Sequence, residues 1–190
     1  MGFPPRAQGA GALPQAASVP AVERGRPPLP APTPEVEQLT LATDGSAVTI
    51  NDVYCAGWGL TVADPSRPRL LDFCGPVMLD PGSDFFGASA LTNNTGELTG
   101  LLQAFQWLIS YGCGRQCTLM YDSEYAYGMV TGAWQARSNY SLVISARDLF
   151  RRVSNYVSFI HIDSHTGNLL NERADTLALA GAYQCNQPVR

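Results

Sequence analysis

The sequence predicts an α/β fold in which helices cover both faces of a mixed five-stranded sheet. Three strand-like runs come first, and the short connections between them favour an antiparallel meander. Helical and strand-like patterns then alternate, which is typical of strands that extend a sheet in parallel. We therefore expect three antiparallel strands continued by parallel ones.

The first three strands are recognised from β-forming residues and from the turns that separate them. Residues 39–43 alternate apolar and polar side chains, and residues 53–62 are rich in β-formers, with two glycines that indicate close packing or a bulge. A proline-containing turn at 64–68 precedes the third strand, which we place at 70–79.

Apolar spacing of three and four residues predicts a helix that starts near Glu97, with Asn94 as a capping residue three positions earlier and Gly112 at its end. A buried parallel strand is expected at 117–121. The remaining elements are predicted as helices at 124–134 and 142–153, a strand at 157–162, and a helix that begins at about residue 171.

Residues 1–36 are dominated by Pro, Ala and Gly and show no apolar periodicity. Such a segment buries too little surface to offset its ordering entropy, so we predict a disordered or semi-extended leader or linker. The predicted domain follows at 37–185, and 186–190 form a short tail. A transit peptide is the alternative, because arginines occur at 6, 24 and 26, and organelle targeting stays open.

The net charge is −4 and every basic residue is an arginine, which argues against a free-standing nucleic-acid binder. No apolar run reaches about 18 residues, so no membrane span is predicted. The five cysteines form neither an even framework nor a convincing zinc site. This usage fits a reducing intracellular compartment, cytoplasmic or nuclear.

Four acidic residues occupy informative places. Asp44 follows the first strand pattern, Glu97 opens a helix pattern, Asp122 ends a strand, and Asp175 lies ten positions after His165. Carboxylates at strand ends and helix starts can converge in space, and such a cluster is costly unless divalent cations neutralise it. Oxygen ligands suit Mg²⁺ or Mn²⁺, so the pattern predicts metal-assisted chemistry on a phosphate.

Four segments together resemble the ribonuclease H type 1 family: Thr43-Asp-Gly-Ser46, Thr92-Asn-Asn-Thr-Gly-Glu-Leu98, Tyr121-Asp-Ser-Glu-Tyr125 and the segment from His165 to Ala178. Each segment alone is weak evidence for the family, but the occurrence of all four in this order is specific to it. The resemblance implies an RNase H-like fold and hydrolysis of the RNA strand of an RNA/DNA hybrid, leaving 5′-phosphomonoesters. It also implies two Mg²⁺ ions, with Mn²⁺ as a substitute. One ion would activate the attacking water and the other would stabilise the leaving oxygen.

The resemblance further implies a role for each matching residue. Asp44 would bridge both metals with the help of Asp122, while Glu97 and Asp175 would complete the two sides. His165 would act in proton transfer or product release, which suits an imidazole because it titrates near neutral pH.

Substrate recognition in the family depends on the RNA 2′-hydroxyl. Asn93 and Asn94 match the residues that would contact it, and Ser46 and Asn171 are expected to support them. Glu124 is a departure, because it stands where the family commonly has an uncharged amide, and a carboxylate there would repel phosphate.

Residues 134–141 form a second departure. Many cellular members carry a basic helix and loop here that grips the DNA strand, whereas this segment has Arg137 as its sole cation. Members embedded in reverse transcriptases often lack that grip too. We therefore expect a retroelement-type domain whose partner is a fused or separate reverse transcriptase or hybrid-binding domain.

Two other functions are compatible with the residues. One is a non-catalytic nucleic-acid or protein interaction module that keeps the fold, which the acidic balance favours and the four carboxylates disfavour. The other is a DNA-directed nuclease of the same fold, against which the Thr-Asn-Asn segment argues.

Each carboxylate also has a purely structural alternative. Asp44 could open a turn, Glu97 and Asp122 could cap helices, and Asp175 could pair with Arg173. His161 is expected to be structural because it lies within the predicted strand at 157–162.

Overall fold

The computed structural model describes residues 38–82, 85–163 and 166–185, and the strands and helices in these ranges follow the predicted order. Residues 1–36, the predicted domain start at 37 and the tail at 186–190 lie outside the described residues. The elements are β1 (Leu39–Ile50), β2 (Val53–Ala63), β3 (Leu71–Pro76), α1 (Asn93–Tyr111), β4 (Cys117–Tyr121), α2 (Glu124–Thr131), α3 (Tyr140–Val153), β5 (Val157–His161) and α4 (Leu169–Gln184).

The five strands form one mixed sheet in the order β3-β2-β1-β4-β5. β1 pairs antiparallel with β2, and β2 pairs antiparallel with β3, whereas β4 is parallel to both β1 and β5. The predicted fold class is thereby confirmed. β1 is the central strand, and because successive side chains point to opposite faces, its residues contact elements on both faces of the sheet.

Helices cover both faces. Gly45 on β1 meets the backbone of α1, and its register partner is Trp58 on β2. Gly57 and Gly59, the neighbours of Trp58, meet the backbone of α4 instead. Because successive residues of a strand face opposite sides, α1 and α4 lie on opposite faces of the sheet.

The core is mainly aliphatic, and α1 supplies much of it. Its buried apolar residues are Leu98, Leu101, Leu102, Ala104, Phe105, Trp107 and Leu108. They pack with β-strand leucines such as Leu39, Leu41 and Leu119, each of which is fully buried. Burial of a leucine contributes about 1.5–3 kcal/mol, so this face anchors α1 firmly to the sheet. Within the described ranges, no helix is long and apolar enough to cross a membrane.

The predicted cap of α1 is wrong. The helix begins at Asn93, and Thr92 is its N-cap: the Thr92 hydroxyl accepts from the Thr95 N–H at 3.2 Å, and the Thr95 hydroxyl accepts from the Thr92 N–H at 3.0 Å. This reciprocal pair satisfies two backbone donors, so neither Asn94 nor Glu97 is needed for capping. Glu97 therefore lies in the second turn, with its side chain available to the neighbouring strand.

Other boundaries differ by a few residues. The third strand is shorter than predicted and ends at Pro76, which lacks the N–H of a sheet residue. α2 ends at Thr131 because Gly132 adopts a left-handed conformation with φ 83°. α4 begins at Leu169, two residues earlier than predicted, because the Asn168 side chain accepts from the N–H groups of Leu170 and Asn171.

Candidate active site

The sheet register brings Asp44 and Asp122 together. The parallel pairing of β1 with β4 ends at Ala42 and Met120, and two further residues along each strand lead to Asp44 and Asp122. Asp122 follows the last residue of β4, while β1 continues with β2 alone, Asp44 lying opposite Gly59. The two carboxylates therefore lie where adjacent parallel strands separate.

Two glycines bring Glu97 to the same place. A Cβ on Gly45 would overlap the backbone of Gly96 and lie 2.8 Å from the Glu97 Cα, and one on Gly96 would lie 2.9 Å from the Gly45 Cα. The absence of both side chains lets α1 contact β1 backbone to backbone. Glu97, which follows Gly96, is therefore held beside Asp44, which precedes Gly45.

The sequence interpretation missed the contribution of Gly96. The sequence feature that could have indicated this contact is a glycine inside an apolar helix pattern, with Gly100 four residues later on the same face. A mid-helix glycine costs roughly 1 kcal/mol relative to alanine, so two of them on one face indicate close contact with a neighbouring element.

Asp44, Glu97 and Asp122 form a three-carboxylate cluster. One carboxylate oxygen from each residue lies within 4.8 Å of the other two. Asp44 is the most enclosed, with 6% of its surface exposed, and its Oδ1 accepts from the Gly45 N–H at 2.6 Å. The turn-forming alternative for Asp44 is wrong, because the residue lies inside β1.

Burial and mutual repulsion perturb the carboxylates of the cluster. The pKa of Asp44 is raised to about 6, first by burial and then by the charges of Asp122 and Asp175, while hydrogen bonds from Glu97 and the Gly45 N–H oppose the rise. Burial also holds the pKa of Glu97 well above its usual value, with the charges of Asp44 and Asp122 as the next causes. A set of enclosed oxygens of this kind is suited to binding cations.

Asp175 faces the cluster from α4. Its charge acts on Asp44, although it is not one of the three residues whose oxygens lie within 4.8 Å. Its predicted alternative partner, Arg173, pairs instead with Asp72 of β3, where the Arg173 Nε donates to Oδ1 at 2.8 Å. That ion pair connects α4 to the edge strand of the sheet. Arg173 is therefore paired with Asp72, and Asp175 lies near Asp44.

Neither proposed capping role for the other carboxylates applies. Ser123, rather than Asp122, is the N-cap of α2, and its hydroxyl accepts from the Ala126 N–H at 3.2 Å. Thr92 caps α1, as described above. Asp122 and Glu97 are therefore placed at the cluster without serving as helix caps.

His165 lies outside the described residues, together with Ser164, so its role stays a prediction. The other histidine, His161, ends β5. Its ring lies 5.4 Å from that of Tyr121, centroid to centroid, and its Nε2 lies 3.3 Å from the Asp122 carbonyl oxygen. Contacts with a ring and a backbone oxygen fit the structural role expected for His161.

The residues expected to contact substrate lie in different environments. Asn93 and Asn94 are exposed on the first turn of α1, where they line a cleft of about 410 Å³ together with Tyr54 of β2. Ser46 is partly buried on β1, two residues after Asp44, and Glu124 is exposed at the first residue of α2.

Asn171 lies in the first turn of α4 and is nearly fully buried. Only 4% of its surface is exposed, and its Oδ1 has no hydrogen-bond partner among the described residues. Its expected role as a supporting substrate-binding residue therefore stays a prediction.

The arginines of the α2–α3 region have partly structural roles. Arg147 donates to the backbone oxygens of Met129 and Trp134 at 2.6 and 2.7 Å and thereby holds the connection between the two helices. Arg151 pairs with Asp148. Arg137 and Arg152 are exposed, so this region offers only a small basic surface.

Comparison with known proteins gives consistent results at the levels of sequence and fold. The sequence profile of the RNase H family matches residues 36–183. Ribonuclease H of Neisseria gonorrhoeae is 27% identical over 159 residues, covering 76% of this chain and 94% of that protein. RNase H1 from Halobacterium salinarum NRC-1 superposes with a TM-score of 0.56 at 20% identity, over 77% of this chain and 98% of that one.

A second structure, LC11-RNase H1 in complex with an RNA/DNA hybrid, superposes with a TM-score of 0.57 at 18% identity, over 78% of this chain and 99% of that chain. At these identities the two structures establish the fold. The family profile extends over nearly all of the described residues, including the three-carboxylate cluster.

Proposed function

The chain belongs to the ribonuclease H family of hydrolases, and we propose that it cleaves the RNA strand of RNA/DNA hybrids in a reaction that depends on divalent cations. The observation that carries the proposal is the three-carboxylate cluster, whose oxygens converge within 4.8 Å on an enclosed part of β1. The expected products have 5′-phosphate ends.

The proposed cofactor is a pair of Mg²⁺ ions, for which Mn²⁺ is a substitute. Asp44, Glu97, Asp122 and Asp175 would hold them. The fit is chemical: the donors are all carboxylate oxygens, which these ions prefer, and the pKa values of Asp44 and Glu97 are raised first by burial and then by the neighbouring carboxylate charges, both of which a bound cation would offset. When bound, such ions supply Lewis-acid stabilisation of phosphate charge and lower the pKa of water.

The protein side of the mechanism follows from how each group is held. Asp44 is fixed by the β1 backbone and by the Gly45 N–H, and Glu97 is fixed by the contact of α1 with β1. Asp122 approaches from the end of β4, and Asp175 from α4 on the opposite face. This arrangement holds the acidic groups before substrate arrives, which lowers the cost of organising the reaction. We further propose that His165 carries a proton to or from the reacting groups.

Substrate would lie across the cluster and the cleft beside the start of α1. Asn93 and Asn94 are exposed there, and their amides can both donate to and accept from an RNA 2′-hydroxyl. We propose that Ser46 supports this contact from β1. The exposed Glu124 and the few exposed arginines suggest weak binding by the domain alone, so a fused or separate reverse transcriptase or hybrid-binding domain is the proposed partner.

The test is cleavage of an end-labelled RNA/DNA hybrid in Mg²⁺ and separately in Mn²⁺, with RNA, DNA duplex and single-stranded DNA as substrate controls. Asp122→Asn is the active-site variant. Asp148→Asn is the matched control, because Asp148 is an exposed carboxylate on α3 that pairs with Arg151.

We expect the wild type and Asp148→Asn to cut only the RNA strand of the hybrid. Asp122→Asn should fold and be at least about 100-fold slower, because a metal-holding carboxylate is lost. Near wild-type cutting by Asp122→Asn would remove that residue from the site. If no folded form cuts, while Mg²⁺ still raises the melting temperature, the domain binds cations without catalysing this reaction.

A further inference from the structure

α4 lies against β2 with backbone contacts at regular intervals. A Cβ added to Gly59 would lie 2.6 Å from the Ala178 nitrogen, and one added to Gly57 would lie 2.5 Å from the Ala178 oxygen and overlap Ala182. The two glycines point to the same face of the sheet because they are two residues apart. The helix therefore runs antiparallel to the strand, with its later residues near the beginning of β2.

The spacing of these contacts continues to a pair of cysteines. Two residues of a strand rise by about 6.6 Å, and three to four residues of a helix, about one turn, by about 4.5–6 Å. One step beyond Gly57 on the same face of β2 is Cys55. Three residues beyond Ala182, at the end of α4, is Cys185.

The observed contacts agree with this spacing. The Cys185 Sγ donates to the Ala56 carbonyl oxygen at 3.3 Å, and Ala56 directly follows Cys55. Cys55 and Cys185 line the same cavity, of about 220 Å³, so the two side chains lie near each other. Cys55 is 1% exposed, whereas Cys185 is partly exposed and can be reached from solvent.

We propose that Cys55 and Cys185 form a redox modification site, at which a small disulfide oxidant such as oxidised glutathione converts the two thiols into an intramolecular disulfide. A disulfide needs Cα atoms about 5.5–6 Å apart. The contacts at Gly57 and Gly59 let the helix and strand backbones approach closely, which favours a separation of that order. The bond would join the start of β2 to the end of α4, the helix that carries Asp175.

The reaction balances with oxidised glutathione alone. Cys185 loses its proton and its thiolate attacks one glutathione sulfur, which forms a mixed disulfide and releases the first glutathione. Cys55 then loses its proton and attacks the Cys185 sulfur, which releases the second glutathione. The protein loses two hydrogens and two electrons, and two reduced glutathiones are formed.

The other three cysteines are less suitable partners. Cys74 lies opposite Gly59, four strand residues from the position of Cys55, and its Sγ accepts from the Gln184 amide at 3.4 Å. Cys113 is exposed in the α1–β4 connection, and Cys117 is buried on β4, where burial raises its thiol pKa to about 12. Cys74 is the competitor for Cys185, because it contacts the preceding residue.

The sequence makes the bond easy to identify. Trypsin cleaves after arginine except before proline, so Cys55 falls in peptide 25–69 and Cys185 in peptide 174–190, each as the single cysteine of its peptide. Cys74 and Cys113 share peptide 70–115, and Cys117 lies in 116–137.

The full chain would be reduced, treated with oxidised glutathione in mildly alkaline buffer, alkylated and digested. We expect a mass loss of two hydrogens, a linked peptide made of 25–69 and 174–190, and a melting temperature raised by on the order of 5–10 °C. Cys185→Ser should abolish both the linked peptide and the shift. Cys74→Ser and Cys113→Ser should keep them.

Three results would overturn the proposal: glutathione adducts without the linked peptide, a link from 174–190 to 70–115, or no oxidation of either thiol in the folded protein. Because Cys55 is buried, Cys55→Ser is used only after its melting curve shows a folded protein. The readout is mass and melting, so it is independent of the ribonuclease proposal.

Discussion

Gly96→Ala tests directly how the fold builds the cluster. The added Cβ would lie 2.5 Å from the Gly57 oxygen, 2.9 Å from the Gly45 Cα and 3.0 Å from the Ser46 nitrogen. All three are backbone atoms of the sheet, so no side chain can rotate away. Ordinary carbon contacts are about 3.5–4 Å, so α1 must move by roughly 0.5–1 Å.

Two opposing terms set the magnitude. Alanine favours a helix over glycine by about 1 kcal/mol, whereas overpacking against unyielding neighbours costs about 1–3 kcal/mol. Because every neighbour is a backbone atom, we take the upper end of the overpacking cost and expect a net loss of about 1–2 kcal/mol in the free energy of unfolding. Glu97, the next residue, would move with the helix, and a displacement near 1 Å can reduce turnover by about 100-fold.

Gly100→Ala is the matched control one turn later. Its Cβ would lie 3.1 Å from the backbone carbonyl oxygen of Asp44 and 3.4 Å from the Thr43 Cβ, which are tight but tolerable contacts. We expect its stability to lie between that of the wild type and about 1 kcal/mol above it. Urea unfolding and hybrid cleavage measure both effects. If Gly96→Ala is as stable and as active as Gly100→Ala, the backbone contact does not position Glu97.

Three further predictions concern charge. Asp64→Asn should lower the free energy of unfolding by about 1.5–3 kcal/mol in urea titrations, because the buried Asp64 accepts from Arg115 at 2.9 and 2.8 Å. Arg115 also holds the pKa of Asp64 well below its usual value, so this stabilisation is present above about pH 4 and is lost as the pH falls further. If Asp64→Asn lowered the free energy of unfolding equally at about pH 2 and pH 7, this interpretation would be contradicted. At Asp44 the sign is opposite: its raised pKa means that metal-free stability falls as pH rises from about 4 to 6. Mg²⁺ should therefore raise the melting temperature more at pH 7.5 than at pH 5, and an identical shift at both would contradict the cluster as its site. Finally, Glu124→Gln should tighten hybrid binding at fixed salt because an exposed negative charge near phosphate is removed, and unchanged or weaker affinity in a titration would refute this.

Local patterns were sufficient to predict the order of the elements. The apolar spacing from Leu98 to Leu108 and the strand-like runs before it reflect burial against one sheet, and burial also decides where these elements form. The positions of Asp44 and Asp122 followed from the same patterns, because strand order and register align the two residues once β1 and β4 are parallel.

Features that depend on distant contacts could not be predicted. Asn94 and Thr92 are both good capping residues, and the Thr95 hydroxyl, rather than any periodicity, decides between them. The role of Gly96 depends on the absence of a side chain at Gly45, about fifty residues earlier. The burial of Asn171 depends on how α4 lies on the sheet, which the helix pattern alone does not contain.

The backbone contact between Gly45 and Gly96 also determines how the cluster responds to force. Contacts between side chains can adjust by rotation about side-chain bonds, whereas two backbones in direct contact cannot move closer together. The backbones at Asp44 and Glu97 therefore cannot be drawn closer by a strongly attracting ion, and they can separate only if α1, with its buried leucines, lifts from the sheet. The main-chain spacing of the two residues is thus nearly fixed, and adjustment to a bound ion is left to rotation of the Asp44 and Glu97 side chains.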